Sequence, residues 1–482
     1  MDSHWEMIIL KKYYWAIIPI VGWLIVKFGF DFNGLYGQDA YAYLLHSREW
    51  KAFFIGGAIP SSFYWPPNYS IVSALLAFIV GTEFVSLQLI SVLSMAGLAY
   101  VLDSWFRKEY DLEKDTRIAF ITLAFLLSPY MFRLGQQSIS EMLTMVFITG
   151  SFYHLKQYLQ HEKVRSLLLW SVTAALSITT RYPAVIVLIA PILFMGFRLI
   201  RKGQFTRLLA GTIVGLVPVL VAVWWKTKSG GMEQVMSADL LQNWSVSQLF
   251  QTEFSRDEGN FSFMFPNILF NLSALVHPGT VFFGVLLLPF AFKKLKNNTA
   301  RLLAAISFLI YALFLSGVPV QNTRLMTFSY PLLVMISFPG FVELTNWIKS
   351  KRIPTTLLFT ACLIVQIALC ARAMQPSIVH NHFEEELANW VRENHTSKTI
   401  YTSDYPQLFD VYETGNPVVQ TYTVLLNSFE DDAIFIFNQS SSEFKLKGTV
   451  PLQNWLLAQN LMQVEEEKGW SNGWCVYSLK SR

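Results

Sequence analysis

Charge is what this chain has least of. Only 15% of its 482 residues are Asp, Glu, Lys or Arg, against about 25% in an average soluble domain. Cysteine is nearly absent. Cys362, Cys370 and Cys475 have neither metal-ligand spacing nor the count of a disulfide framework, and two of them lie in an apolar run where a buried thiol is expected. No G-x-x-x-x-G-K-[ST] phosphate loop, H-E-x-x-H zinc helix or G-x-S-x-G elbow occurs. No cofactor is therefore expected, and no metal site is supported. The apolar runs carry few charges, which argues against a proton-relay transporter. They show no Gly- or Pro-broken pair in matching halves, as inverted-repeat transporters tend to have. Internal repeats and low-complexity tails are missing too.

Apolar residues are plentiful, at 53%, and come in blocks separated by short basic clusters. This is the pattern of a polytopic α-helical membrane protein. The net charge of +4 comes from Lys and Arg in the connecting loops and calls for no nucleic-acid partner. Lys11 and Lys12 precede the first run, and no small-residue cleavage site follows it, so it reads as a retained signal anchor with a cytoplasmic N-terminus. Spans are expected near 13–30, 86–106, 118–132, 141–159, 167–180, 183–199, 208–225, 279–292, 302–317, 326–345 and 355–371, about eleven in all. The run 67–81 is short for a crossing and reads as an interfacial or re-entrant helix on the outer face. This count puts the basic clusters, among them Lys163 with Arg165, Arg201 with Lys202, and Lys351 with Arg352, on one side.

The resulting organisation is a transmembrane domain, 1–375, with outer loops at 31–67 and 226–278. A small extracytoplasmic α/β domain follows, 376–482. In it an amphipathic helix is expected at 383–393 and another helix at 451–459, with strands at 398–404, 418–424, 433–439 and 474–479.

The first outer loop is the most informative stretch. Asp39 is a lone acid among Tyr36, Tyr41 and Tyr43, placed to take a proton from an acceptor hydroxyl or amine; an ordinary solvated loop aspartate is the alternative. Glu141 opens the fourth span. It fits the third position of a capping box begun by Ser138 and also a cavity-facing acid, and the two roles are compatible. Arg181 and Arg324 lie at outer span ends, where arginine is disfavoured. A phosphate or pyrophosphate of a lipid carrier would account for them, and so would snorkelling to headgroups. Lys51 and His277 are further candidates for touching a phosphate or substrate. Tyr41, Tyr43, Tyr64, Trp65, Tyr69 and Tyr182 could line a substrate groove by stacking on a sugar or isoprenoid, although interfacial anchoring is the commoner use of such aromatics.

These motifs, in this order, resemble the GT-C-type membrane glycosyltransferases, in particular the bacterial branch similar to dolichyl-phosphate-mannose protein mannosyltransferases and aminoarabinose transferases. The resemblance rests on Gly37-Gln38-Asp39-Ala40-Tyr41, the corner Pro66-Pro67-Asn68-Tyr69, the turn Arg133 to Met142, Thr180-Arg181-Tyr182-Pro183, and Arg324 before Pro331. It implies inverting transfer of a sugar from a polyprenyl-phosphate donor to a lipid, glycan or protein acceptor at the outer face of a bacterial inner or cell membrane. Asp39 would then be the general base and Arg181 and Arg324 would hold the donor phosphate. The Gly37 to Tyr43 motif has one acid, Asp39, rather than an Asp-Glu pair, so the resemblance adds no support for a metal. Two other classes compete: a transporter or flippase of a lipid-linked anion, and a non-catalytic membrane scaffold.

Overall fold

The computed structural model describes residues 2–107, 114–232, 243–256, 259–275, 277, 279, 287, 289, 291, 295, 298–422, 424–440 and 446–482. Helix α1 (Asp2–Leu24) leads into α2 (Gln38–Phe54) and α3 (Asn68–Val80). Then come α4 (Glu83–Arg107), α5 (Lys114–Ile121), α6 (Pro129–Gln136), α7 (Glu141–His161), α8 (Val164–Ile178), α9 (Ala184–Arg201) and α10 (Phe205–Lys228). A hairpin of β1 (Glu253–Arg256) and β2 (Gly259–Ser262) precedes α11 (Asn267–Leu272). Helices α12 (Thr299–Ser316), α13 (Thr323–Met326), α14 (Tyr330–Ser350) and α15 (Thr355–Asn394) complete the bundle.

Among the described residues, six helices are long and apolar enough to cross a bilayer, or seven if the bent pair 114–126 and 129–136 is one span. That is fewer than the eleven crossings expected. Helix α8 has 15 residues and reaches about 22 Å, short of a hydrocarbon core of about 30 Å. Helix α3, with 13 residues, is too short as well, as expected for 67–81. The span expected at 279–292 lies largely outside the described residues.

The helices pack where the sequence is small. Gly211 and Gly215 of α10 sit on Ser171 of α8, where an added Cβ would come within 3.0 Å and 3.4 Å of its atoms. This is the close backbone approach that a Gly-x-x-x-Gly stripe permits. The outward face of α10 is apolar and exposed at Ile213, Val217 and Leu220. The outward face of α15 is likewise exposed at Leu357, Ile364 and Ile367. Such belts suit lipid rather than water.

The chain after 394 forms a five-stranded mixed sheet with β3 (Ile400–Thr402), β4 (Val418–Gln420), β5 (Ala433–Asn438), β6 (Met462–Gly469) and β7 (Trp474–Ser481), in the order β4-β3-β5-β7-β6. Strand β3 is parallel to β4 and β5, and β7 is antiparallel to both its neighbours. Helices α16 (Pro406–Val411) and α17 (Val450–Leu461) pack with it. The four expected strands are present; β6 was not anticipated. Its Val-Glu-Glu-Glu-Lys run suits the charged, half-solvated edge it occupies. The compositional change at 376 falls inside α15, which runs unbroken from Thr355 to Asn394 and absorbs the helix expected at 383–393.

Helix α2 is held between the bundle and this sheet. Ala40, Tyr41 and Leu44 share one apolar cluster with Leu387, Val391, Phe409 and Ile436. Within it the Tyr41 hydroxyl donates to the fully buried Glu384 carboxylate at 2.8 Å, and His380 lies 3.2 Å from the other oxygen of that carboxylate. Farther along α2, the His46 ring bridges Ser70 at 3.0 Å and the Trp50 indole N–H at 3.2 Å. Burial, aided by the nearby Lys226 charge, lowers the His46 pKa to about 3, so the imidazole is a neutral strut. Tyr41→Phe would leave a buried carboxylate oxygen short of a donor. We expect it to lower stability by about 1–3 kcal/mol, read as a reduced thermal midpoint in detergent.

Candidate active site

Four charged residues far apart in sequence meet at one end of the bundle. Asp39 stands in the first turn of α2. The turn is entered through Gly37 at φ +74°, a left-handed value that glycine adopts without a Cβ clash. Glu141 is the first residue of α7, where the helix dipole favours a carboxylate. The Ser138 capping box does not form: the residue preceding the helix is Ser140, and the Ser138 hydroxyl is buried without a hydrogen-bond partner. Arg181 occupies the tight turn between α8 and α9, its N–H bonded to Ser177 O at 3.0 Å. Arg324 opens α13, where Asn322 Oδ1 accepts its backbone N–H at 2.8 Å.

Arg181 donates from Nε to Ser140 Oγ at 2.6 Å and from Nη2 to Glu141 Oε1 at 2.8 Å, and the same Nη2 reaches Asp39 Oδ2 at 3.4 Å. Arg324 contacts Glu141 through Nε, and its Nη2 lies 2.8 Å from Asp39 Oδ2. Two carboxylates and two guanidiniums therefore neutralise one another. The quartet has an inner and an outer half. The Glu141 and Arg181 side chains are 2% and 3% exposed, whereas Asp39 and Arg324 are 30% and 29% exposed. Both guanidiniums meet Glu141 at Oε1, while its Oε2 is buried without a hydrogen-bond partner.

Trp65 covers the quartet. Its ring centroid lies 3.7 Å from the Arg181 guanidinium carbon, and its indole N–H donates to Asp39 Oδ1 at 3.3 Å. Burial alone would raise the Asp39 pKa. The guanidiniums of Arg324 and Arg181, with the Trp65 N–H, outweigh it and hold the carboxyl below its usual value.

The expected groove aromatics divide. Tyr41, Tyr43 and Tyr69 are fully buried, so they form core rather than groove wall. Tyr43 backs the site by sharing a hydrogen bond with Ser140 Oγ at 2.9 Å, and Tyr69 donates to Leu87 O at 2.9 Å. Tyr64 is exposed and packs edge-on against Trp65, with ring centroids 4.6 Å apart; Tyr182 is half-buried in the Arg181 turn. Lys51 lies away from the quartet in an ion pair with Glu83 at 2.6 Å. His277 stacks on Tyr130, with centroids 5.3 Å apart, and its Nδ1 accepts the Gly279 N–H at 3.0 Å. Ser140 was not foreseen; nothing in the sequence sets it apart from Ser138 two residues earlier. Asn68 ties the Pro-Pro corner to α8 by donating to Thr179 Oγ1 at 2.6 Å. Among the described residues, no group of three His, Cys, Asp or Glu is placed to hold a metal ion.

No family model matches the sequence, and no curated protein does. Solved structures do. ArnT from Cupriavidus metallidurans bound to undecaprenyl phosphate superposes with a TM-score of 0.62 at 13% identity, over 99% of this chain and 98% of that one. The archaeal oligosaccharyltransferase AglB from Archaeoglobus fulgidus, in complex with an inhibitory peptide and a dolichol-phosphate, gives 0.52 at 11% identity, over 98% of this chain and 75% of that one. Over nearly its whole length the chain therefore has the GT-C fold of these glycosyltransferases.

Proposed function

We propose that this protein is a membrane glycosyltransferase that moves a sugar from a polyprenyl-phosphate donor to an acceptor at the outer face of the membrane. One observation carries the reading: a carboxylate and two guanidiniums converge at a half-exposed edge of a GT-C fold. Undecaprenyl phosphate and dolichol-phosphate, bound in the two solved structures, support this donor class. Basic residues such as Lys163, Arg165, Lys351 and Arg352 lie at helix ends opposite the quartet, and the positive-inside rule makes them support for this orientation.

The chemistry is a single displacement. Asp39 takes the proton from the acceptor hydroxyl or amine as that group attacks the anomeric carbon. The bond from that carbon to the phosphate oxygen breaks, and the electron pair leaves on polyprenyl phosphate. Attack from the face opposite the leaving group inverts the anomeric centre. Arg181 and Arg324 hold the phosphate and stabilise the charge it gains, a role for which the planar guanidinium fork is suited. Tyr64, Trp65 and Tyr182 offer aromatic surface beside the reacting groups.

Purified wild-type protein supplied with a panel of polyprenyl-phosphate sugars should transfer or slowly hydrolyse at least one of them. Asp39→Asn should cut turnover by about a hundredfold to ten-thousandfold while the thermal midpoint stays near that of wild type; near-normal turnover in this variant would remove Asp39 as the base. Arg324→Lys keeps the charge but loses the fork. We expect its KM for donor to rise about tenfold to a hundredfold, measured by steady-state kinetics, and an unchanged KM would take Arg324 out of the phosphate site.

A further inference from the structure

Asp39 meets a chemical conflict at rest. A general base needs a lone pair free to accept a proton, yet Oδ2 faces two guanidiniums, at 2.8 Å and 3.4 Å. A donor phosphate would seek the same N–H groups. The two anions cannot both be served well, because like charges at that separation repel. Arg181 cannot follow the phosphate far: it is 3% exposed, bonded to Ser140 and Glu141, and stacked under Trp65. Arg324 is 29% exposed on a four-residue helix and is the more movable of the two.

Once phosphate draws Arg324 from Oδ2, Asp39 keeps the long Arg181 contact at 3.4 Å and the Trp65 N–H, which lies on the other oxygen, Oδ1, at 3.3 Å. The indole is itself fixed on three sides. Its face lies on Arg181 at 3.7 Å, Tyr64 packs edge-on at 4.6 Å, and the buried Pro66-Pro67 pair follows it in the chain. One ring thus touches both the intended base and the intended phosphate ligand.

We propose that Trp65 is a positioning residue that holds Asp39 by Oδ1 while the donor phosphate takes Arg324 from Oδ2 and shares the fixed Arg181. This rests on the glycosyltransferase reading above. Seating the donor then frees the base: Asp39 becomes a stronger proton acceptor only when the phosphate is bound, and Trp65 keeps it aimed at the acceptor. The charged and titratable groups facing Asp39 are Arg181 from the α8–α9 turn, Arg324 from α13, Glu141 from α7 beyond both arginines, and Tyr43 from its own helix.

Two variants test this. Trp65→Phe keeps an aromatic face for Arg181, though a smaller one, and loses the N–H donor. We expect its KM for donor to stay within about twofold of wild type and kcat to fall about tenfold. The lost N–H stabilised the carboxylate, so Asp39 should protonate more readily and the acid limb of kcat/KM should move to higher pH, by up to about one unit. Asp39→Asn removes the competitor for the arginines. It should bind polyprenyl phosphate without sugar about tenfold more tightly than wild type, measured in detergent micelles.

Wild-type kcat with an unmoved acid limb in Trp65→Phe overturns the role of Trp65 and leaves the enzyme reading intact. Asp39→Asn that binds polyprenyl phosphate no more tightly overturns the exchange. Wild-type protein that binds polyprenyl phosphate but turns over no polyprenyl-phosphate sugar overturns the enzyme reading, and the positioning role with it.

Discussion

The contact on which the site depends is the buried ion pair between Glu141 and Arg181. Charges removed from water are costly, and losing either member would leave the other buried with only the outer pair, Asp39 and Arg324, to balance it. The pair joins the start of α7 to the α8–α9 turn and recruits Ser140, with Tyr43 behind it. It fixes one guanidinium at a known depth. Against that fixed point, Asp39 and Arg324 form an outer pair that solvent and ligands can reach. A rigid inner pair carrying an accessible outer pair is an arrangement suited to binding an anion without losing the geometry around it.

Helix α2 links this site to the rest of the chain. Residues four apart share a helix face, so Asp39 and Tyr43 look toward Arg181, while Tyr41 turns toward Glu384 and the sheet that follows α15. The sheet therefore does more than extend the protein beyond the bundle: its apolar cluster takes in the back of the helix that presents the candidate base. The unbroken course of α15 from the bundle into this cluster reinforces the coupling.

Much of the site was legible one residue at a time. Asp39, Glu141, Arg181 and Arg324 stand out because ionisable residues at the ends of apolar runs need a reason. Lys51 and His277 are ionisable as well, and their structural partners are Glu83 and Tyr130 instead. A span-end position sets Arg324 apart from Lys51 within the first loop, but which distant element arrives beside each is not written locally. Among the aromatics, Tyr41, Tyr43 and Tyr69 looked like Tyr64 on the page, but the apolar cluster that encloses the first three is assembled from α2, α3, α4 and the chain beyond 380. Strand β6 was missed because three consecutive glutamates break the apolar alternation of a strand, and only its edge position lets them lie in one.

By itself the sequence determined that the chain is a bundle of apolar helices followed by a small α/β unit, and that its informative charges gather at one set of helix ends. Hydropathy and charge run along the chain, so those properties survive without coordinates. The tertiary structure decided which charges pair, which stay buried and which oxygen of Asp39 faces each donor. Those contacts join residues up to 285 positions apart, from Asp39 to Arg324, and no pattern along the chain encodes a contact made across it.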